Sequence, residues 1–200
     1  MSRPSDFELG KLDRIADDLF EVFDERGHRV DEAMSVDPAF GSGQSRAWVR
    51  RDLAVDTVIV AASTIAVDFR PVNGAGREFR FLSNVDRRYR FLRGRRDDRD
   101  RLHVSVNSAS SLTVDPSGGL YPFEQWVVVW VMSDTVIAEV VACEVTGVTY
   151  GRPGELIFGE MISLGKAESR IDRQRRFQAD VDDDIFGDEG DEEGEGQELA

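Results

Sequence analysis

Two hydrophobic periods run through this chain, and the place where one gives way to the other constrains the fold more than any composition figure. Leu12, Ile15, Ala16, Leu19, Phe20 and Phe23 recur at the three- and four-residue steps of a helix that buries one face. Ser5 and Glu8 stand just ahead at capping-box spacing: the serine oxygen can accept an early backbone N–H while the glutamate reaches back to the backbone of Ser5. Gly27 stands where a helix C-cap belongs. The pattern predicts an amphipathic helix over residues 6–26, with Asp13, Asp17, Asp18, Glu21 and Asp24 on its other side. Residues 31–40 add at most a short turn of helix, and GSGQS (41–45) reads as a hinge. A helix of this kind covers one face of a sheet, or else docks a partner or a second copy.

From Trp48 the texture becomes that of strands. Thr57–Phe69 is rich in Val, Ile and Thr and ends in alternation, with Ile65, Val67 and Phe69 on one face. PVNGAG (71–76) is a turn. Phe79 and Phe81, Tyr89 and Phe91, then Leu102, Val104 and Val106 each alternate with polar residues. NSASS and DPSGG flank a short Leu112–Val114 segment. Gln125–Met132 is apolar on both faces, the mark of a central strand. Ser133-Asp134 can turn the chain, Val136–Thr149 is one long run bent near Gly147, GRPGE (151–155) turns again, and Leu156–Leu164 returns. Short connections favour antiparallel pairing, because parallel strands need long crossovers. The expected fold is α+β: an N-terminal amphipathic helix packed on a mainly antiparallel β-sheet or partly closed barrel, with a disordered acidic C-terminal tail. The expected divisions are a helical segment and hinge over 1–45, a β domain over 46–165, a charged linker or short helix over 166–179, and the tail over 180–200, which is too poor in apolar residues to order itself.

Charge is distributed as unevenly as hydrophobicity. The chain carries a formal net charge of −14, yet residues 41–109 hold 14 basic and 8 acidic residues. Lysine occurs only at Lys11 and Lys166, so the cationic charge is nearly all arginine. Its densest stretch is RRYRFLRGRRDDRDR, from Arg87 to Arg101. Nucleic-acid binding needs cations against phosphates and often aromatics for base stacking. Here arginines alternate with aromatics, so a strand would turn Tyr89 and Phe91 inward and the arginines outward, which suits backbone contact better than stacking. Asp97, Asp98 and Asp100 could neutralise their neighbours. Three readings compete: a nucleic-acid face, a dock for an acidic protein surface or for the chain's own tail, and a solvated hairpin.

Several chemistries find no support. Cys143 is the only cysteine, so no internal disulfide forms, and VVACEV suits a small packed hydrophobe. His28, His103 and Cys143 lack zinc-site spacing, and Asp180–Asp184 lacks the glycine and final glutamate of a calcium loop. No metal or cofactor is expected. There is no Gly-x-Ser-x-Gly, and VNGAGRE (72–78) lacks the Gly-Lys-Ser/Thr of a phosphate loop. His103 would serve as a base only with a serine such as Ser105 or Ser110 beside it. Glu139 and Glu144 are five apart and face opposite sides of a regular strand. MSRPSDFELG has no apolar h-region, and the longest apolar run, Trp126–Met132, falls far short of the roughly twenty residues of a membrane helix. A cytoplasmic protein without membrane contact is expected.

Asp182-Asp183-Asp184-Ile185-Phe186 is similar to the acidic, aromatic-ended tip of bacterial single-stranded-DNA-binding proteins. In that family the tip recruits partner proteins and the tail competes with nucleic acid for a basic face of an OB-fold. This chain lacks the proline before the phenylalanine, and residues continue beyond Phe186 to Ala200. The expectation from these features is a non-catalytic interaction protein. Arg87, Arg88, Arg90, Arg93, Arg95, Arg96 and Arg99 would contact nucleic acid or an acidic protein. Asp182–Phe186 would be a competing ligand or a partner motif. Protein partners could also engage the N-terminal helix, and a homo-oligomer is open. The alternatives are a structural or assembly subunit of phage or mobile-element type, and an enzyme of unknown class.

Overall fold

A computed structural model describes residues 3–37, 43–71, 77–81, 87–106, 126–149 and 154–165. Met1–Gly165 group as one compact unit. The first helix, α1, runs from Asp6 to Ser35. Both halves of its capping box form: Glu8 N–H donates to Ser5 Oγ at 3.3 Å, and Ser5 N–H donates to Glu8 Oε2 at 2.8 Å. The expected end at Gly27 is corrected. The helix continues because Gly27 lies on its buried stripe between Phe23 and Val30. A Cβ there would stand 2.0 Å from the Thr135 carbonyl oxygen, so this glycine serves a close approach and not a cap.

A second helix, α2, spans Gly43–Thr64 and overturns the strand expected from Thr57. The expected hinge contributes its Gly43 to the helix, and the expected division at 45/46 falls inside one helix. Ala54, Val55, Thr57, Val58, Ala61 and Ala62 are buried at steps of three and four. Helix propensities of Val, Ile and Thr lie within about 0.7 kcal/mol of alanine, less than the burial of one side chain contributes. The turn after α2 passes through Ala66 at φ 54, with Val67 N–H donating to Ala62 O at 3.0 Å.

The strands are β1 Asp68–Pro71, β2 Arg77–Phe81, β3 Arg87–Arg96, β4 Leu102–His103, β5 Ser105–Val106, β6 Trp126–Ser133, β7 Val136–Val148 and β8 Gly154–Leu164. They make one open sheet in the order β1-β2-β3-β6-β7-β8-β5, with β4 on β3. Every neighbouring pair is antiparallel except β3 and β6, which run parallel from Tyr89↔Trp126 to Gly94↔Val131. The expected central strand is β6, buried on both faces from Trp126 to Val131. The expected turn sits between β6 and β7, where Asp134 has φ 50. Register shifts fall between Cys143 and Val145 and between Val145 and Gly147, at the expected bend in β7. The single strand expected over Leu102–Val106 is instead two short pieces. The pieces serve opposite ends: β4 pairs with β3, β5 pairs with β8, and Leu156 N–H donates to Val104 O at 3.1 Å.

The fold is α+β, with two helices packed on a mainly antiparallel sheet. Alternation sorts each strand between two cores. Phe79, Tyr89, Phe91, Trp126, Val128, Trp130 and Ile137 join the buried stripes of α1 and α2. Val104, Val127, Val129, Val131, Val141, Cys143 and Leu156 make a smaller core on the other face. Residues 72–76, the Leu112–Val114 segment, residues 151–153, the charged segment 166–179, and the acidic tail with Asp182–Phe186 lie outside the described residues. Among the described residues no helix is long and apolar enough to cross a membrane.

Candidate anionic-partner surface

The arginine-rich stretch is β3 and the turn that follows. Two-residue alternation on β3 divides its arginines between the two faces. Tyr89 and Phe91 are buried in the helix-side core, with Phe91 stacked on Trp130 at 6.0 Å between centroids. Arg88, Arg90 and Arg96 take the opposite face, as expected of arginines between aromatics. Arg87, Arg93 and Arg95 do not, because they stand two and four residues from the aromatics on the aromatic side.

The seven nominated arginines have different surroundings. Arg87 is 5% exposed, and its Nη1 lies 3.3 Å from Glu8 Oε2 in an ion pair between β3 and the cap of α1. Burial pushes the Tyr89 phenol well above its ordinary range, with Arg87 and Glu8 both acting on it. Arg88 is half-buried. Arg90 shares the buried Glu78 carboxylate with Arg70: Arg90 Nε is 3.9 Å from Oε2, and Arg70 Nε is 3.1 Å from Oε1. Arg96 grips Glu139 with two bonds of 2.8 and 2.7 Å, a bidentate pair that holds its charge on the far side of β6. The Glu139 bond raises the Arg96 pKa further.

Arg93, Arg95 and Arg99 are exposed, and none makes an ion pair among the described residues. Arg93 lies over the Trp130 ring, 5.5 Å from guanidinium carbon to centroid. Its pKa is lowered, first by burial and then by the charge of Arg50 on α2. Arg50 and Arg46 both reach Asp31, at 2.9 and 3.0 Å. The sequence reading missed Arg50 because it left α2 unseen; the four-residue step from Arg46 to Arg50 was the available signal.

Asp97 organises the turn that carries Arg99. Its Oδ1 accepts from the backbone N–H of Arg99 at 3.0 Å and of Arg101 at 2.9 Å. Its Oδ2 accepts from Arg101 Nε at 2.8 Å. These bonds, the Arg101 backbone N–H foremost, hold its carboxyl well below the usual range. Asp97 thus neutralises Arg101 and leaves Arg99 without a carboxylate partner among the described residues. His103 lies between two carboxylates, with Nε2 3.1 Å from Asp97 Oδ2 and Nδ1 3.2 Å from Glu155 Oε2. Both ring nitrogens are occupied, which removes the free lone pair that a general base needs. Cys143 is fully buried, and burial pushes its thiol up to about 12, far from thiolate chemistry. No three His, Cys, Asp or Glu side chains among the described residues converge as a metal site.

The arrangement offers fixed guanidinium charges on a rigid strand and a hydrogen-bonded turn. No protein-family model matches the chain, and comparison with curated proteins and with solved structures finds no match.

Proposed function

We propose that the chain is a non-catalytic interaction protein that binds an anionic partner, nucleic acid or an acidic protein surface, at the end of β3 and the turn after it. The observation that carries this reading is Arg93: an exposed guanidinium held over Trp130, with no carboxylate pairing it among the described residues. An exposed cation with no carboxylate beside it favours an anion that can meet it. Arg95 and Arg99 extend the same cationic end, whereas Arg87 and Arg96 are engaged by Glu8 and Glu139 and serve the fold. The acidic tail, with Asp182, Asp183, Asp184, Ile185 and Phe186, acts in this reading as a competitor or as a partner motif.

Fluorescence anisotropy with labelled single-stranded DNA and with polyglutamate at low salt tests the reading. A chain lacking residues 180–200 is expected to bind more tightly than the full chain. On single-stranded DNA each phosphate contact contributes about 0.7 to the slope of log affinity against log salt. Changing Arg93, Arg95 and Arg99 together to serine should therefore flatten that slope by roughly two. A truncated chain with no polyanion affinity at low salt ends the proposal.

A second reading, an assembly subunit, draws on the apolar side chains that α2 exposes: Trp48 at 49%, Ile59 at 48% and Val60 at 59%. Light scattering separates the two, since a monomer at all concentrations argues against assembly.

A further inference from the structure

The two helices leave a groove along their seam that the Arg surface does not use. Cavities of about 360 and 410 Å³ lie end to end in it and share Arg26 and Asp56. The helices run antiparallel there, with Val22 near Val60 at one end and Val30 near Val49 at the other. From Asp18 to Ala33 the groove follows α1 for about 22 Å, roughly four helical turns. Apolar side chains in it are open to solvent: Val49 is 37% exposed and Val60 is 59% exposed.

Several carboxylates elsewhere in the molecule are matched by arginines. Asp31 is matched by Arg46 and Arg50, Glu78 by Arg70, and Glu139 by Arg96. Asp18, Glu25 and Asp56 line one end of the groove and make no ion pair among the described residues, although Arg26 lines the same cavity. Arg26 and Arg29 are the two cations of the lining, against the carboxylates of Asp18, Glu21, Glu25, Asp52 and Asp56, so the rim is net acidic. A groove with apolar side chains and a net acidic rim is complementary to a helix with an apolar stripe flanked by cations. A second copy of α2 is a poor occupant: the face of α2 that lines the groove carries Asp52 and Asp56 and no cation, so it would bring further carboxylates to an acidic rim. We propose that the groove between α1 and α2 docks a basic amphipathic helix of a partner protein. The net charge of −14 also speeds the approach of such a partner.

Methyl and amide NMR of the full chain tests this with two synthetic peptides. One places leucines at i, i+3, i+4 and i+7 with arginine at the remaining positions; the other has the same composition shuffled to destroy the stripe. The first peptide is expected to shift the methyls of Val22, Val30, Val49 and Val60 and to bind at least tenfold more tightly than the shuffled one. Asp56→Arg is expected to weaken it at least tenfold, and so is the milder pair Asp18→Asn with Glu25→Gln should the charge reversal not fold. Equal binding of the two peptides would mean attraction to bulk acidity alone and overturns the proposal. So do shifts confined to residues outside the groove. A dimer in light scattering that dissociates on Val60→Asp overturns it too, in favour of a second copy.

Discussion

His103 stands within hydrogen-bond reach of two carboxylates, and only the imidazolium has an N–H for each. The folded state therefore favours the imidazolium, and the pKa is raised, by Asp97 first and Glu155 next. A raised folded pKa stabilises in full below the unfolded value near 6.5, and that stabilisation is lost as pH rises through the folded value. The Tm advantage of the native chain over His103→Gln is thus expected to shrink in thermal melts from pH 6 to pH 9; an advantage that grows with pH contradicts this picture. The Asp97 carboxyl works in the opposite sense, since its depressed pKa gives stability that disappears as pH falls into the acid range. Arg87 poses a different question at the same scale. With Arg87 5% and Glu8 3% exposed, removing one partner strands the other charge in the core. Arg87→Met is expected to cost about 3–5 kcal/mol in urea unfolding. Adding Glu8→Gln should recover part of that loss, because glutamine keeps the capping box while removing the stranded charge.

Two glycines of α1 show how an element's surroundings decide what its residues are worth. Gly10 meets nothing within 4 Å, so Gly10→Ala is expected to stabilise by up to about 1 kcal/mol through helix propensity alone. Gly27→Ala gains the same propensity but drives a methyl into the Thr135 carbonyl in the β6–β7 turn. It is expected to destabilise by about 1–3 kcal/mol, as overpacking does. Chemical unfolding of the two variants side by side checks the opposite signs. The same contrast explains what could be read in advance. The start of α1 was legible because a capping box is a local device, complete within four residues. β6 was legible because a strand between two neighbours must be apolar on both faces. α2 was not. Its buried positions Ala54, Val58, Ala61 and Ala62 carry the helical step, but the exposed Val49, Ile59 and Val60 fill in the polar face and erase the stripe. The end of α1 was misread because a glycine that permits close approach looks in sequence like one that permits a cap.

Across the whole molecule, the location of the arginines was legible and their engagement was not. Composition marks Arg87–Arg101 as dense, but whether an arginine meets a partner or a carboxylate depends on contacts far away in the chain. Glu8 lies 79 positions from Arg87, and Glu139 lies 43 from Arg96. No local spacing encodes such pairs; topology does, through the capping box that meets β3 and the parallel β3–β6 pair that brings β7 within reach. The consequence is a chain in which several ion pairs are internal or half-buried while its net charge remains −14. Salt should then act on stability and on binding with opposite signs. Raising NaCl from 0.05 to 0.5 M shortens the Debye length from about 14 to about 4 Å, which relieves repulsion among exposed carboxylates and leaves the sheltered pairs less affected. The Tm is expected to rise by a few degrees over that range, while polyanion affinity at Arg93, Arg95 and Arg99 falls steeply. Scanning fluorimetry and anisotropy on the same samples check both halves. A Tm that falls with salt would mean that exposed ion pairs, and not the excess of like charge, dominate the electrostatics of this fold.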